Sequence, residues 1–533
     1  MSNPLHEVGS PTTAWTTVNT AENFPGVATP LGWTFWRDPL ERGMKGAFHD
    51  MGVLPGSAVT VPESIDDRFS AAVFGRFAAN VDCLRRMADR MPGTSGEALE
   101  AQLLGSVRPG VPSYPSRRRY PVVAAKMPAA VVRLPRRLHR LRAETDAWWR
   151  AVTAPGAIAT AARARAVLAE SAARFEAVMR PHAFSTLLGT GIYDQVAALA
   201  TASGHPGLET SLVTGYGDVE EAQAAGELWR VARGELTLAE FLADHGYHAP
   251  TEAEISSRSW REDDAPLCRL IEQYAGLPES ASPVDRARRQ RQEREDAEAR
   301  VLAGTGGPAR AGARLRLALA RRYIPLREVG KAAFLQTIDG GRAAARYLGA
   351  ELVAGGELTE PGEVYFLTVE ELTGVRLPAG VGELVARRRA TFEEYRGLRL
   401  PDKWVGEPQP LAEPVAGPGA AVTRVTGMAV SPGVVEGVAR VVHSAEENDL
   451  EPGEILVCKT TDPSWASYFV VASAVVIDIG GPLSHGAIVA RELGVPCVIN
   501  TGNGTRAIRS GDYLRVDGGA GTVEILLPAL TEA

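Results

Sequence analysis

Cysteine is scarce in this chain: four residues in 533, Cys83, Cys268, Cys458 and Cys497, too scattered for paired metal-ligand spacing and too few to staple so long a chain. Read as reduced thiols, they exclude a disulfide scaffold. Long apolar runs are missing too, since the longest strongly apolar stretch, 469–479, falls well short of the roughly 20 residues that span a bilayer. The opening MSNPLHEVGS lacks the basic and apolar regions of a secretory signal, so no membrane partner and a cytoplasmic location are expected. No Gly-x-x-x-x-Gly-Lys-Ser/Thr occurs, and Gly502 and Gly504 lack a third glycine at dinucleotide-binding spacing, so the chain carries no nucleotide motif of its own. Excess positive charge is absent as well. With 57 bases against 64 acids the formal charge is -7, which argues against a dedicated nucleic-acid binder and against a nucleic-acid partner.

The rest is an ordinary soluble composition, 45% hydrophobic and 23% charged. At about 150 residues per domain the length suggests three or four domains' worth of chain. Through residue 400 the dominant pattern is apolar residues at three- and four-residue spacing, as in 68–91, 160–179, 219–245, 285–301 and 326–348, which predicts a mostly α-helical body. Phe24-Pro25-Gly26, Met91-Pro92-Gly93 and Gly215-Tyr216-Gly217 read as turns between helices. The basic stretch 117–142 is an anion-binding face or, by the simpler reading, a solvated surface. Five prolines, Pro401, Pro408, Pro410, Pro414 and Pro418, then mark a semi-rigid linker. Beyond it, short β-like runs at 438–443, 454–459, 474–478, 496–500 and 513–516, with a helix-like stretch at 484–493, predict an α/β domain. The expected division is a helical substrate domain over 1–400, a linker over 401–422 and an α/β domain over 423–533.

The stretch from Val475 to Ala487 carries the strongest chemical signal. An apolar strand ends at Gly480 and Gly481, and His485 lands in the first turn of a helix whose N-cap is Ser484. Unpaired N–H groups and the positive end of a helix dipole favour negative charge there, so a phosphoryl group on the imidazole would be stabilised where it forms. A neutral histidine is also a competent nucleophile near physiological pH. An isolated Ser-His pair would be merely a cap and its neighbour.

The pair is not isolated. Gly480-Gly481, Ser484-His485-Gly486-Ala487, Ala490-Arg491-Glu492-Leu493-Gly494-Val495-Pro496 and Gly511-Asp512 through Asp517-Gly518 resemble the phosphohistidine "swivelling" domain of the phosphoenolpyruvate-utilising enzymes, which include the rifampin phosphotransferases. Ser431-Pro432-Gly433, Gly453-Glu454-Ile455-Leu456-Val457 and Thr461-Asp462-Pro463 fit the same pattern, so the likeness covers nearly all of 423–527. It implies that His485 carries a phosphoryl group, held with Ser484 and Gly486. Leu483 stands where synthases and dikinases often carry threonine, so control by phosphorylation at that place is not expected.

In the body, Phe24-Pro25-Gly26 with Thr29-Pro30 resembles the opening of the rifampin phosphotransferase central domain, and 246–263 resembles its Gly-His-Arg, Glu-x-Glu, Arg-Trp-x-Glu-Asp segment. Tyr247 and His248 take the places of the usual His-Arg pair, while Glu252, Glu254, Trp260, Arg261 and Glu262 keep theirs. The resemblance makes His248, Glu252, Glu254 and Arg261 candidate substrate-binding residues. Read from the residues alone, the two glutamates are either a general base or surface acids near an arginine, and His248 has a core or capping role as an equal alternative. Arg327 and Lys331, four apart on a predicted helix, share one face and match cations that the family places near the transferred phosphate; an ordinary solvated face beside Glu328 is the alternative. Asp462, Asp478 and Asp517 read as turn and strand-end residues, and no metal is assigned.

The family charges its histidine through an ATP-grasp domain, and the central-domain likeness here begins near the first residues. No cofactor is therefore expected on this chain, with ATP and magnesium supplied through a separate ATP-grasp subunit. The expected activity is phosphoryl transfer from His485 to a hydroxyl of a small molecule. Phosphorylation-coupled dehydration, and a carrier or regulatory role without small-molecule chemistry, are the alternatives.

Overall fold

The first strand of the chain pairs with residues almost four hundred positions away. In the computed structural model, which describes residues 3–18, 20, 24–104, 106–216, 220–411, 423–443, 450–461, 465–481 and 484–529, β1 (Ala14–Thr16) lies between β3 (Arg76–Asn80) and β4 (Lys403–Val405), and β2 (Ser70–Val73) completes a four-stranded antiparallel sheet. Two compact units emerge: one of residues 1–185, 253–257 and 329–414, the other of 186–252, 258–328 and 415–533.

In the first unit the helices Pro30–Asp50, Tyr120–Thr153 and Val381–Gly397 accompany the small sheet. Trp36 meets Phe175 at 4.6 Å between ring centroids and Phe334 at 5.6 Å, an edge-on aromatic cluster at the centre of this unit. The helix predicted over 68–91 is corrected here: its first half is the β2–β3 hairpin, and only Val81–Ala88 is helical. Phe74 (φ 46°) and Gly75 (φ 70°) both take left-handed backbone, the two-residue turn whose twist suits a hairpin, and this turn chemistry outweighs the helical spacing of the apolar residues. The other long predicted helices are present, as Ala161–Ala202, Pro283–Ala303 and Leu326–Ala354, while 219–245 is split into Glu220–Ala232 and Leu238–His245. In the basic stretch, Arg133, Arg136, His139 and Arg140 are exposed on the helix, a solvated face.

The second unit is built on an eight-stranded mixed sheet. Its strands are β5 (Arg424–Thr426), β6 (Met428–Ser431), β7 (Val434–Val442), β8 (Ile455–Cys458), β9 (Ala474–Ile477), β10 (Cys497–Ile499), β11 (Tyr513–Asp517) and β12 (Thr522–Leu527), in the order β5-β12-β11-β7-β8-β9-β10-β6. The central four, β7-β8-β9-β10, are parallel, and the flanking pairs are antiparallel. Parallel strands covered on both faces read as unbroken apolar runs, which is why ILVC, AVVI and CVI are buried throughout. Alternate residues still divide between the faces. Ile455, Val457, Ala474 and Val476 pack with Leu514, Val516 and Val523, whereas Leu456, Cys458, Val475 and Ile477 pack with Trp229, Phe241 and Tyr274 of the helices and with Trp260 in a turn between them. The α/β part thus shares one hydrophobic core with helices of 186–328. Of the expected linker, the start is strand β4, and 412–422 lie outside the described residues, as do Asn19, Gly217 and Leu483.

Candidate functional site

His485 stands where a parallel strand hands over to a helix. Strand β9 ends at Ile477, the chain turns, and the helix His485–Glu492 leads into β10, a parallel crossover that sets the histidine at the carboxyl end of the strands, where open α/β sheets bind ligands. Ser484 has extended backbone (φ -65°, ψ 160°), and its hydroxyl accepts from Ala487 N at 3.4 Å, so the predicted N-cap is present. The His485 imidazole is buried at 4% exposure.

Gly480 and Gly486 act through space rather than backbone freedom, since neither has positive φ, while Gly481 borders open space. A Cβ on Gly486 would lie 2.5 Å from Ile477 Cδ1 and 2.6 Å from Thr461 Oγ1. The first helical turn therefore presses directly on β9 and on the chain after β8. Thr461, quoted in the sequence only as part of the Thr461-Asp462-Pro463 match and given no role there, is buried with Thr460 just past an apolar strand. Asp478 fixes the next turn by accepting from Thr501 Oγ1 at 2.7 Å and Thr505 N at 3.2 Å, and Asp517 accepts from Gly519 N at 3.0 Å. Both are the strand-end residues expected, and Asp462 lies outside the described residues.

The far end of the same helix is tied down. Glu492 Oε1 accepts from Gly215 N at 2.9 Å, and Arg491 is buried at 4% exposure, where desolvation pulls its guanidinium below the usual range while the charge of Tyr193 partly restores it. Burial likewise pushes the Cys497 thiol far up, and all four cysteines are free thiols.

The body residues separate into different surroundings. His248 and Glu252 come together, Nδ1 to Oε1 at 2.6 Å, with exposures of only 3% and 2%. Glu254 does not join them. Its carboxylate accepts from Thr29 N at 3.0 Å and Thr29 Oγ1 at 2.7 Å, bracing the N-cap of Pro30–Asp50, so the pair Glu252 and Glu254 consists of buried acids rather than surface ones. Arg261 is part-exposed, 3.7 Å from Glu262, and its N–H donates to Gly246 O at 2.9 Å. Arg327 and Lys331 both fall at the start of Leu326–Ala354; Arg327 reaches Glu328 Oε1 at 3.1 Å, and Lys331 and Glu328 are buried, so this is not an ordinary solvated face. Ser484, His485, Gly486, Arg327, His248, Glu252 and Arg261 belong to the second compact unit, Lys331 and Glu254 to the first.

Two stretches of the chain match known families, and the longer one draws on both compact units. Residues 450–521 match the PEP-utilising enzyme mobile domain, and residues 150–328 match the rifampicin phosphotransferase fourth domain. A rifampicin phosphotransferase from Streptomyces sp is 37% identical over 207 residues, covering 39% of this chain and 24% of the relative. The enzyme of the same name from Bacillus subtilis (strain 168) is 35% identical over 176 residues, 33% of this chain and 20% of the relative. An uncharacterized protein of Mycobacterium tuberculosis is 32% identical over 308 residues, 57% of this chain and 32% of the relative. The matched part thus spans about a third or less of these relatives' own length. The chain is thus similar to the PEP-utilising enzyme mobile domain in the segment that carries His485, and to the rifampicin phosphotransferase fourth domain over 150–328.

Proposed function

We propose that the chain is a phosphotransferase component in which His485 receives a phosphoryl group from a separate ATP-grasp protein and passes it to a hydroxyl of a small molecule in the cytoplasm. The observation that carries this reading is the setting of His485: first residue of a capped helix, at the carboxyl end of a parallel sheet, inside the mobile-domain match. In the charging step an imidazole nitrogen attacks the transferred phosphorus and the nucleotide leaves; magnesium arrives with that nucleotide and offsets its charge. In the second step the acceptor oxygen attacks phosphorus, the P–N bond breaks, and the hydroxyl proton goes to a base. First-turn N–H groups favour the phosphoryl oxygens at His485, and Arg327 and Lys331 are our candidates for neutralising charge on the group in flight. No helix among the described residues is long and apolar enough to cross a membrane.

A second reading, net dehydration after phosphorylation, is favoured by one observation: a buried imidazole paired with a carboxylate, His248 with Glu252, is an arrangement suited to removing a proton. Arg261 would then help to hold the substrate. Mass analysis of the acceptor after incubation with charged protein separates the two: a gain of phosphate is expected, loss of water with free phosphate would establish dehydration, and an unaltered acceptor across a broad hydroxyl panel would count against both. Arg327→Ala and Lys331→Ala should each slow transfer at least tenfold without preventing the charging of His485, and full transfer rates would remove them from the mechanism.

A further inference from the structure

The helical part of the second unit gathers a cluster that the phosphoryl chemistry does not use. Glu220, at the start of Glu220–Ala232, His245, at the end of Leu238–His245, and His248, in the following turn, each offer a ligating atom, and these atoms lie within 4.8 Å of one another. Both histidines are buried, at 6% and 3% exposure. Each is oriented from behind by a carboxylate: His245 Nε2 meets Glu227 Oε2 at 3.0 Å, and His248 Nδ1 meets Glu252 Oε1 at 2.6 Å. That leaves His245 Nδ1 and His248 Nε2 as the nitrogens able to ligate, and His245 Nδ1 has no hydrogen-bond partner among the described residues. Tyr247 OH donates to Glu220 Oε1, holding the third ligand in turn. Phe241 packs on His245 at 4.9 Å between ring centroids and Trp260 on His248 at 5.0 Å, an apolar wall that limits water.

We propose that Glu220, His245 and His248 form a site for a borderline divalent cation of the zinc type, with Glu227 and Glu252 as its supporting carboxylates. Imidazole and carboxylate together suit such ions, and three protein ligands leave a coordination position open. Carboxylates on the far ring nitrogens fix the tautomer and raise ligand basicity, the arrangement metal-bound histidines ordinarily show. A cation on Nε2 would deprive His248 of the lone pair a general base needs, so metal binding and the base role of His248 exclude each other.

The test uses the full chain, stripped with chelator and dialysed against zinc or cobalt(II). Roughly one equivalent should be retained, and the cobalt form should show the visible bands of a low-coordinate nitrogen and oxygen site. His245→Ala and His248→Ala should abolish retention, and Glu252→Gln should weaken affinity about 10- to 100-fold. Wild-type protein that retains neither metal overturns the proposal whatever the variants do. Retention undiminished in folded His245→Ala and His248→Ala, judged by circular dichroism, overturns it equally by locating the ion elsewhere.

Discussion

The two histidine sites of the second unit are built in opposite ways. Around His485 the elements that place the imidazole are contiguous: strand β9, a turn, the Ser484 cap and one helix follow each other within about twenty residues, with Thr461 and Gly215 packing on that helix from elsewhere in the chain. Around His248 the partners come from separate places along the chain, Glu220 and Glu227 on one helix, His245 on the next, and His248 and Glu252 in the turn after it. A contiguous site takes its geometry from one short stretch of chain. A site assembled from several elements exists only while those elements stay packed, which suits a fixed place for recognising a small molecule or holding an ion.

Substitutions can break or sharpen this contrast. The largest effect is expected of His485→Ala, which should reduce phosphoryl labelling to background while leaving the melting temperature within a few degrees of wild type. Next comes Glu254→Ala. Removing the carboxylate strands the Thr29 N–H and hydroxyl in a buried place, so stability should fall by about 2–3 kcal/mol in denaturant titration with His485 labelling of the folded fraction preserved. Lost labelling at undiminished stability would make Glu254 a functional acid after all. Gly486→Val should cost about 2 kcal/mol, because the added carbons meet Ile477 and Thr461, and charging should slow with it. Ser484→Ala, which loses only the cap, should cost about 1 kcal/mol and leave charging detectable; a loss as complete as that of His485→Ala would give the hydroxyl a direct part in transfer.

The same contrast explains what the sequence could and could not reveal. The α/β part was legible because parallel strands with both faces covered must be apolar without interruption, and because a cap, a histidine and a glycine fall in consecutive positions. The short strands β5, β6 and β12 were missed, being edge or near-edge strands with exposed residues that break the apolar run. In the body, the helices Ala161–Ala202, Pro283–Ala303 and Leu326–Ala354 announced themselves by period, while Pro30–Asp50 and Tyr120–Thr153 were not singled out, and the β2–β3 hairpin was hidden because its apolar residues also fit helical spacing and only the left-handed Phe74 and Gly75 decide the turn. Glu252 and Glu254 look equivalent two residues apart. Folding sends one to His248 and the other to Thr29, a separation no local pattern encodes.

The most direct test of the central claim is the intact mass of the protein under neutral conditions, after incubation with ATP, magnesium and an ATP-grasp protein that charges mobile domains of this family. A gain of one phosphoryl group by the wild type and none by His485→Ala is the predicted result. Equal gain by both proteins would contradict the assignment of His485 as the phosphoryl carrier.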